Sequence, residues 1–352
     1  MHRYDPAMTS SPVRVGLVGY GFGGRYFHAP LIRSVQTCAL VGVVTRSAQR
    51  RDQVAAEHPG VPAYDSLADL AAAGVDAVVI STPADTHVRL SRQAIELGLP
   101  VVTDKPFALD AASARAVVDL AARSDVRLSV YQNRRWDSDF RTVRRLIADG
   151  RLGEVSRFES RFERFAPQPG PPAAGGGTRL DFGSHLVDQA LLLLGPVDAV
   201  YAESRVRADS GIEDDVFLAL SHRSGARSHL WGSWVQGAPG PRFRVTGSEG
   251  SYVVGGVDGQ EAALIAGRTP ATEGDRWGAE PPEHWGRLQR GADSVAVPTE
   301  PGRWNEFYPA FAAAVRGPEP VPVEPGDAVA SLEVLDAALI SATERRIIQL
   351  SG

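Results

Sequence analysis

From Val13 to about Tyr131, short valine-rich runs alternate with longer amphipathic ones. The runs "VRVGLVG", "ALVGVVT", "VDAVVIST", "PVVTD" and "VRLSVY" are mostly apolar on both faces, the pattern of parallel strands covered by helices on each side. Between them, "SAQRRDQVAAEH", "THVRLSRQAIELG" and "DAASARAVVDLAARS" repeat apolar residues every three to four positions, which predicts helices. Strand alternating with helix predicts an α/β domain on a doubly wound parallel sheet. Right-handed crossovers in such a sheet align the strand C-termini along one edge, where ligands bind.

After Tyr131 the period changes. A helix, "SDFRTVRRLIADG", precedes "EVSRFESRFERF", where apolar and charged residues alternate as in a strand with one wet face. A Pro/Gly-rich loop over 166–177, the helix "LVDQALLLLG" and the runs "DAVYAESRVR", "DVFLALSH", "RSHLWGSWV" and "FRVTGSEGSYVV" follow. Strands following strands predict an α+β domain on a large, mainly antiparallel open sheet. Residues 267–303 show no period and read as an ordered loop excursion, and helices near 304–316 and 326–347 close the chain. The predicted division is a flexible leader over 1–12, a first domain over 13–131 and a second over 132–352, whose last helices are free to pack back on the first.

With 352 residues, 43% hydrophobic and 22% charged, the chain has the make-up of a soluble globular protein of two domains. A formal net charge of -5 and the lack of any basic tract argue against a nucleic-acid or membrane-surface partner. Cys38 is the only cysteine, which excludes an intrachain disulfide and a cysteine-rich metal site and suits a reducing compartment. The leader "MHRYDPAMTSSP" lacks the basic start and apolar core of a signal peptide, and no later window has the apolar run of a membrane span. A cytoplasmic protein is expected, with Met8 as an alternative start.

Chemistry enters at "VRVGLVGYGFGGRYFHAP", which sets Gly19, Gly21 and Gly24 in a G-x-G-x-x-G pattern between the first strand and a helix. Gly19 permits the tight turn, Gly21 lets a pyrophosphate approach the backbone and Gly24 lets helix pack on strand, so this is a dinucleotide-binding Rossmann domain. At the end of the second strand an acid would bind the ribose 2'-hydroxyl; "VVTRSAQRR" offers Thr45, Arg46 and Ser47 instead. A guanidinium flanked by hydroxyls suits a 2'-phosphate, so NADP(H) is preferred and NAD(H) is the second choice.

Two more strands end in polar residues: "VVISTPADTH" in Ser81, Thr82 and Pro83, and "VVTDKPFAL" in Asp104 and Lys105. An ammonium beside a nicotinamide crevice can stabilise developing alkoxide charge, although most lysines are simply solvated. In "GGGTRLDFGSHLVDQALLLLG", Asp181 and His185 stand four apart at the start of a helical pattern, on one face near its positive end. Alone, they read as a cap and an interior histidine. A hydride carrier, the strand-end Lys105 and the flexible "APQPGPPAAGGGT" beside them point instead to alcohol oxidation. His185, with an ordinary pKa near 6.5, then serves as general base, Lys105 as the donor to the reacting oxygen, and Asp181 as an acceptor for substrate hydroxyls. A metal held by Asp181 and His185 with His87, His222 or His229 is the competing chemistry, but only the first pair has ligand spacing, and no metal is expected.

Gln132, Asn133, Arg134, Arg135 and Trp136 lie at the domain junction, where pockets form. Asn133, Arg134 and Trp136 are candidate substrate contacts, with a structural arginine pair as the other reading of Arg134. Trp304 and Tyr308 fit core packing, His28 a local helix contact, and Trp231 and Trp234 the sheet or an oligomer contact.

"GYGFGG", "STPADTH", "DKPF", "RLDFGSHLVDQ" and "FRVTGSEGSYV" occur in the order and spacing of the Gfo/Idh/MocA oxidoreductases, the glucose-fructose oxidoreductase and inositol dehydrogenase family, which the chain resembles from about Val13 to its last helix. The resemblance implies a Rossmann domain followed by an open-sheet domain used for homodimer or homotetramer contacts. It also implies a catalytic group of Lys105, Asp181 and His185, with Asp104 where glutamate is more frequent. The cofactor-facing set becomes Gly19, Gly21, Phe22, Gly23, Gly24, Thr45, Arg46, Ser47, Ser81, Thr82, Pro83, His87, Asp104, Lys105 and Gln132. "FHAPLI", "YQNRRWDSDF" and "EPPEHWGRL" look more particularly like the subgroup containing NADP-dependent scyllo-inositol dehydrogenases. The expected substrate is a neutral cyclic polyol or sugar, an inositol first, because no arginine cluster marks an anion clamp in the second domain. A glycosidase using transient oxidation and a non-catalytic nicotinamide sensor are the alternatives.

Overall fold

In the computed structural model, which describes residues 11–350 except 169 and 172, six strands form one parallel sheet: β1 (Val13–Val18), β2 (Cys38–Val44), β3 (Ala63–Tyr64), β4 (Ala77–Ile80), β5 (Val101–Thr103) and β6 (Leu128–Val130). Most of the predicted leader, residues 1–10, lies outside the described residues. The strand order β3-β2-β1-β4-β5-β6 reverses direction between β1 and β4, opening a crevice at their C-terminal ends. Register decides what meets there. Val18 lies beside both Val44 and Ile80, Ile80 beside Thr103, and Thr103 beside Val130. The next residues, Gly19, Thr45, Ser81, Asp104 and Tyr131, therefore leave the sheet side by side.

The sheet is held by burial on both faces. Val15, Leu17, Val78, Val79, Val101 and Val102 are fully buried, each contributing about 1.5–3 kcal/mol of apolar transfer. Ser66 and Asp110 cap the helices Leu67–Ala72 and Ala111–Arg123 by accepting from the backbone N–H groups of Asp69 and Ser113, which adds about 1 kcal/mol apiece.

The second sheet holds β7 (Val155–Glu163), β8 (Val197–Val206), β9 (Glu213–His222), β10 (Arg227–Ser233), β11 (Phe243–Gly247), β12 (Gly250–Val254), β13 (Arg287–Arg290), β14 (Asp293–Ala296) and β15 (Ile348–Gln349). Its order is β14-β13-β12-β11-β7-β10-β9-β8-β15, antiparallel throughout except where β7 runs parallel to β10. Along β9 buried residues alternate with half-exposed ones. The buried side packs under the helices Gly183–Leu194 and Pro325–Glu344, and the open side carries Phe217, His229 and Trp231, with Arg161 3.9 Å above the Trp231 ring.

The segment 267–303 departs from expectation. It contains the β13–β14 hairpin, whose four-residue strands carry mostly polar side chains and give too short an alternation to show a period. The last long helix ends at Glu344, where Arg345 turns to a φ of 54°. It packs on both β8 and the helix Ala111–Arg123, and so ties the two sheets together. Among the described residues no helix is long and apolar enough to cross a membrane.

Candidate active site

The glycine loop is shaped by close approaches. At Gly19 (φ 102°) a Cβ would stand 2.2 Å from the Ser81 carbonyl oxygen, and at Gly24 it would stand 2.2 Å from that of Gly19. Gly24 is thus required by the loop closing on itself more than by the helix meeting the strand. Gly21 faces open space, with only an Arg50 nitrogen within 4 Å of its missing side chain, at 3.9 Å. A helix starts at Phe22, widens into a π turn over Gly24–His28 and continues to Arg33.

A cavity lies on each side of this loop. The first, of about 360 Å³, is lined by Gly19, Thr45, Arg46, Ser47 and Thr82, together with Arg50, Asp65 and Arg89. Among the described residues none of its three guanidiniums pairs with a carboxylate: Arg46 donates to the Asp65 carbonyl, while the Asp65 side chain is taken by Arg51 at 2.6 Å. Arg46 precedes Ser47, the cap of the helix Ala48–Glu57, and Arg50 stands in that helix's first turn, while Arg89 arrives from the helix His87–Glu96; neither Arg50 nor Arg89 was singled out by the sequence.

The second cavity, of about 330 Å³, is lined by Phe22, Gly23, Asp104, Lys105, Asn133, Arg134, Asp181 and His185, with Phe27, Tyr131, Phe162, Arg164, Phe182, Trp234 and Glu261 completing the wall. The bare face of Gly21 between two cavities fits an elongated dinucleotide. Among the described residues, the hydroxyl of Tyr131, in the wall of the second cavity, and the Oε1 of the next residue, Gln132, are buried without a partner, as polar atoms awaiting a ligand would be.

In this second cavity Lys105, at the end of β5, places Nζ 2.7 Å from Asp181 Oδ1. Asp181 and His185 do not share one helix start as expected. Asp181 closes the helix Gly177–Asp181, and His185 is the third residue of the next, Gly183–Leu194. Phe182 between them keeps helical torsions of -85° and -37°, so the i, i+4 relation survives the break. His185 is 4% exposed. Burial first, then the charges of Lys105, Arg134, Arg242 and Arg164, hold its pKa well below the ordinary histidine value, and the ring is neutral near pH 7.

Asp104 accepts from Ser81 Oγ (2.9 Å), the Lys105 backbone N–H (2.9 Å) and His28 Nε2 (3.2 Å). Burial opposes its ionisation, but His28 by charge and hydrogen bond, with His87 and Lys105, brings its pKa down to about 2. His28 is therefore no local helix contact: its Nδ1 also meets the Tyr308 hydroxyl at 2.5 Å, joining the glycine helix to β5 and to the late helix Phe307–Arg316.

Other expected residues fall elsewhere. His87, 1% exposed, sets its two ring nitrogens 2.8 Å from the carbonyl oxygens of Thr82 and Pro106. It ties two strand ends together and lines neither cavity. Pro83 is exposed at the start of the turn Ala84–Thr86. Gln132 Nε2 reaches the Ser184 carbonyl at 3.5 Å. Trp136 packs edge-on against Phe307 at 5.7 Å, away from the cavity, so its expected substrate contact is corrected to a packing one. Arg134 does line the cavity, yet it is also the structural arginine, held by Asp137 at 3.1 Å and Glu261 at 2.7 Å. His222 bonds the Gly195 carbonyl and Ser228, and His229 packs beside Phe217 and Trp231, so neither stands with Asp181 and His185.

Arg164 and Glu261 carry no motif and went unseen, and Trp234, expected in the sheet or an oligomer contact, lines this cavity instead. They converge from β7's end, the loop after β10 and the helix Gln260–Ile265.

Comparison with known proteins gives these features a context. Residues 13–132 match the oxidoreductase family with an NAD-binding Rossmann fold, and residues 140–253 match the GFO/IDH/MocA C-terminal domain. The scyllo-inositol 2-dehydrogenase (NADP(+)) IolW of Bacillus subtilis is 31% identical over 96% of both chains. The uncharacterized oxidoreductase YdgJ of Escherichia coli is 36% identical, covering 97% of this chain and all (100%) of its own. The solved structure of yvaA from Bacillus subtilis superposes with a TM-score of 0.90 at 32% identity, covering 97% of this chain and 99% of that one.

Proposed function

The chain belongs to the Gfo/Idh/MocA oxidoreductase family, and from that premise we propose that it is an NADP(H)-dependent dehydrogenase. Its substrate is a cyclic polyol or sugar, an inositol before others, in which one secondary hydroxyl is interconverted with a ketone. The observation that carries this is the meeting of Lys105 and Asp181 at 2.7 Å in a cavity that His185 shares with the glycine loop.

The nicotinamide, when bound, supplies the hydride acceptor or donor. Lys105 Nζ donates to the reacting oxygen and stabilises negative charge as it develops there. The neutral His185 ring takes the hydroxyl proton, and Asp181 fixes the ammonium through Oδ1 while Oδ2 accepts from a neighbouring hydroxyl. Asp104, ionised at all ordinary pH values, adds a fixed acceptor at the glycine loop. The aromatic rings of Phe162, Phe182 and Trp234 exclude water and offer an apolar surface to a ring's C–H face.

The preference for NADP(H) is supported by Arg46, Arg50 and Arg89, cations around one cavity that lack carboxylate partners among the described residues; a 2'-phosphate supplies the missing charge. The Bacillus relative, a scyllo-inositol 2-dehydrogenase (NADP(+)), agrees. A neutral substrate is supported by the balance in the other cavity, where Lys105, Arg134 and Arg164 face Asp104, Asp181 and Glu261. The open face of the large sheet, with Phe217, His229 and Trp231, is the surface we assign to a homodimer or homotetramer.

The test is a fluorescence titration with NADPH and NADH, followed by a screen of inositols and sugars with NADP⁺. Tighter NADPH binding and turnover of a ring polyol are expected. Binding of neither nucleotide, once carried-over cofactor has been removed, would leave Lys105, Asp181 and His185 without a reaction.

A further inference from the structure

Resting on that reading, we propose that Glu261 and Arg164 form a specificity pair that binds two adjacent hydroxyls of the substrate besides the one oxidised. The enzyme then takes polyhydroxylated rings and discriminates against alcohols that lack the second pair of hydroxyls.

The pair is a second polar group in the cavity, separate from the reacting one. Glu261 Oε2 accepts from Arg134 at 2.7 Å and Oε1 from Arg164 at 3.0 Å. An ionised carboxylate has about four acceptor sites, so about two stay free for a ligand. Burial opposes ionisation of Glu261, but Arg134 and then Arg164 hold its pKa below the usual carboxylate value, and it is a permanent acceptor.

The two arginines play different parts. Arg134 has a side chain only 5% exposed, is locked between Asp137 and Glu261, and lies 4.5 Å over the Phe162 ring; it fixes the carboxylate. Arg164 is 42% exposed and uses one terminal nitrogen on Glu261, so further N–H donors of its fork face the cavity or solvent. Its guanidinium lies 5.2 to 5.8 Å from the rings of Phe162, Phe182 and Trp234, the latter two stacked at 10°.

A fixed acceptor beside a fixed donor is what a vicinal diol requires: one hydroxyl donates to the carboxylate while the next accepts from the guanidinium. An aromatic panel under them suits the apolar face of the same ring. A ligand carboxylate or phosphate would meet Arg164 but also the Glu261 charge, which disfavours it.

The experiment measures steady-state oxidation with NADP⁺ by wild type, Glu261→Gln and Arg164→Met, on scyllo-inositol and on inositols with two adjacent hydroxyls removed. For the full polyol each variant should raise KM about 10- to 100-fold, the worth of hydrogen bonds to charged groups. Turnover should stay within about threefold, since binding common to ground and transition states is lost. The wild type should lose a similar factor on a dideoxy compound, and the variants should lose nothing further on that compound, a cycle that a general structural defect would not produce. Arg164→Met, at a half-exposed position, covers the case in which Glu261→Gln folds poorly. An unmoved KM, or equal shifts on full and dideoxy substrates, overturns the pair's role. A wild type that oxidises no ring polyol overturns the parent reading and this inference with it; an active wild type with unmoved variants overturns this inference alone.

Discussion

The two cavities that flank the glycine loop are built on opposite electrostatic plans. The one beyond Thr45 gathers Arg46, Arg50 and Arg89 around a carboxylate already paired elsewhere, so its cations wait for a charge from outside. The one beyond Gly23 contains as many lining cations as carboxylates and pairs them, Lys105 with Asp181 and both Arg134 and Arg164 with Glu261. A site that expects a polyanion leaves its arginines open. A site that expects a neutral molecule closes them on acids, because an unpaired buried charge is expensive.

The largest effect should come from removing the base in the balanced cavity. His185→Ala should lower kcat by about 10²- to 10⁴-fold while NADPH titrates as before. Lost turnover together with lost NADPH binding would mean that the two cavities are not separable. In the open cavity, Arg46→Ala should weaken NADPH binding by roughly 10- to 100-fold, the range for a charge-assisted contact, and leave NADH nearly unchanged. Arg50 leans toward Gly21 as well as lining the cavity, so Arg50→Ala should weaken both nucleotides, NADPH more. Equal losses for both nucleotides in the Arg46 variant would remove the 2'-phosphate assignment.

A pH experiment reads the balanced cavity directly. His185 is held neutral in the folded protein, its pKa lowered from 6.5 by burial and nearby cations. The base form therefore persists as pH falls through 6.5, and the acid limb of the kcat profile should lie below that value. An acid limb at or above 6.5 would reassign the proton. Stability follows the same sign. The unfolded chain takes up a proton below 6.5 that folded His185 refuses, so His185's contribution is full above 6.5 and declines as pH drops toward its lowered pKa. His185→Ala should flatten that part of the unfolding profile.

The difference between the cavities also explains what sequence could reveal. Gly19, Thr45, Ser81 and Asp104 each follow the last residue of a strand, and parallel register lines them up, so a one-dimensional pattern was enough to place them. Lys105, Asp181 and His185 were visible as residue types at suggestive spacing, although the helix break at Phe182 was hidden because its torsions stay helical. Part of the wall of the balanced cavity comes from residues 27, 134, 164, 234 and 261, brought together only by the packing of two domains. His28 was misplaced for the same reason: its partners lie 76 and 280 positions away. Trp136 looked like a ligand contact because it sits beside Arg134, but the short helical turn Asn133–Trp136 sends one side chain to the cavity and the other to Phe307.

Salt offers the gentlest way to sharpen the contrast. Arg46 and Arg89 are exposed, and attraction between such cations and a phosphate is screened once ionic strength shortens the Debye length from about 10 Å at 0.1 M to about 3 Å at 1 M. The dissociation constant for NADPH should therefore rise severalfold across that range, and that for NADH by less, because it lacks the 2'-phosphate. The KM of a neutral polyol, measured at saturating cofactor, should hardly move, since such a substrate carries no charge and meets groups already paired with one another. Parallel salt dependence of nucleotide and polyol would mean that the substrate carries a charge of its own, with Arg164 released from Glu261 as the group to meet it.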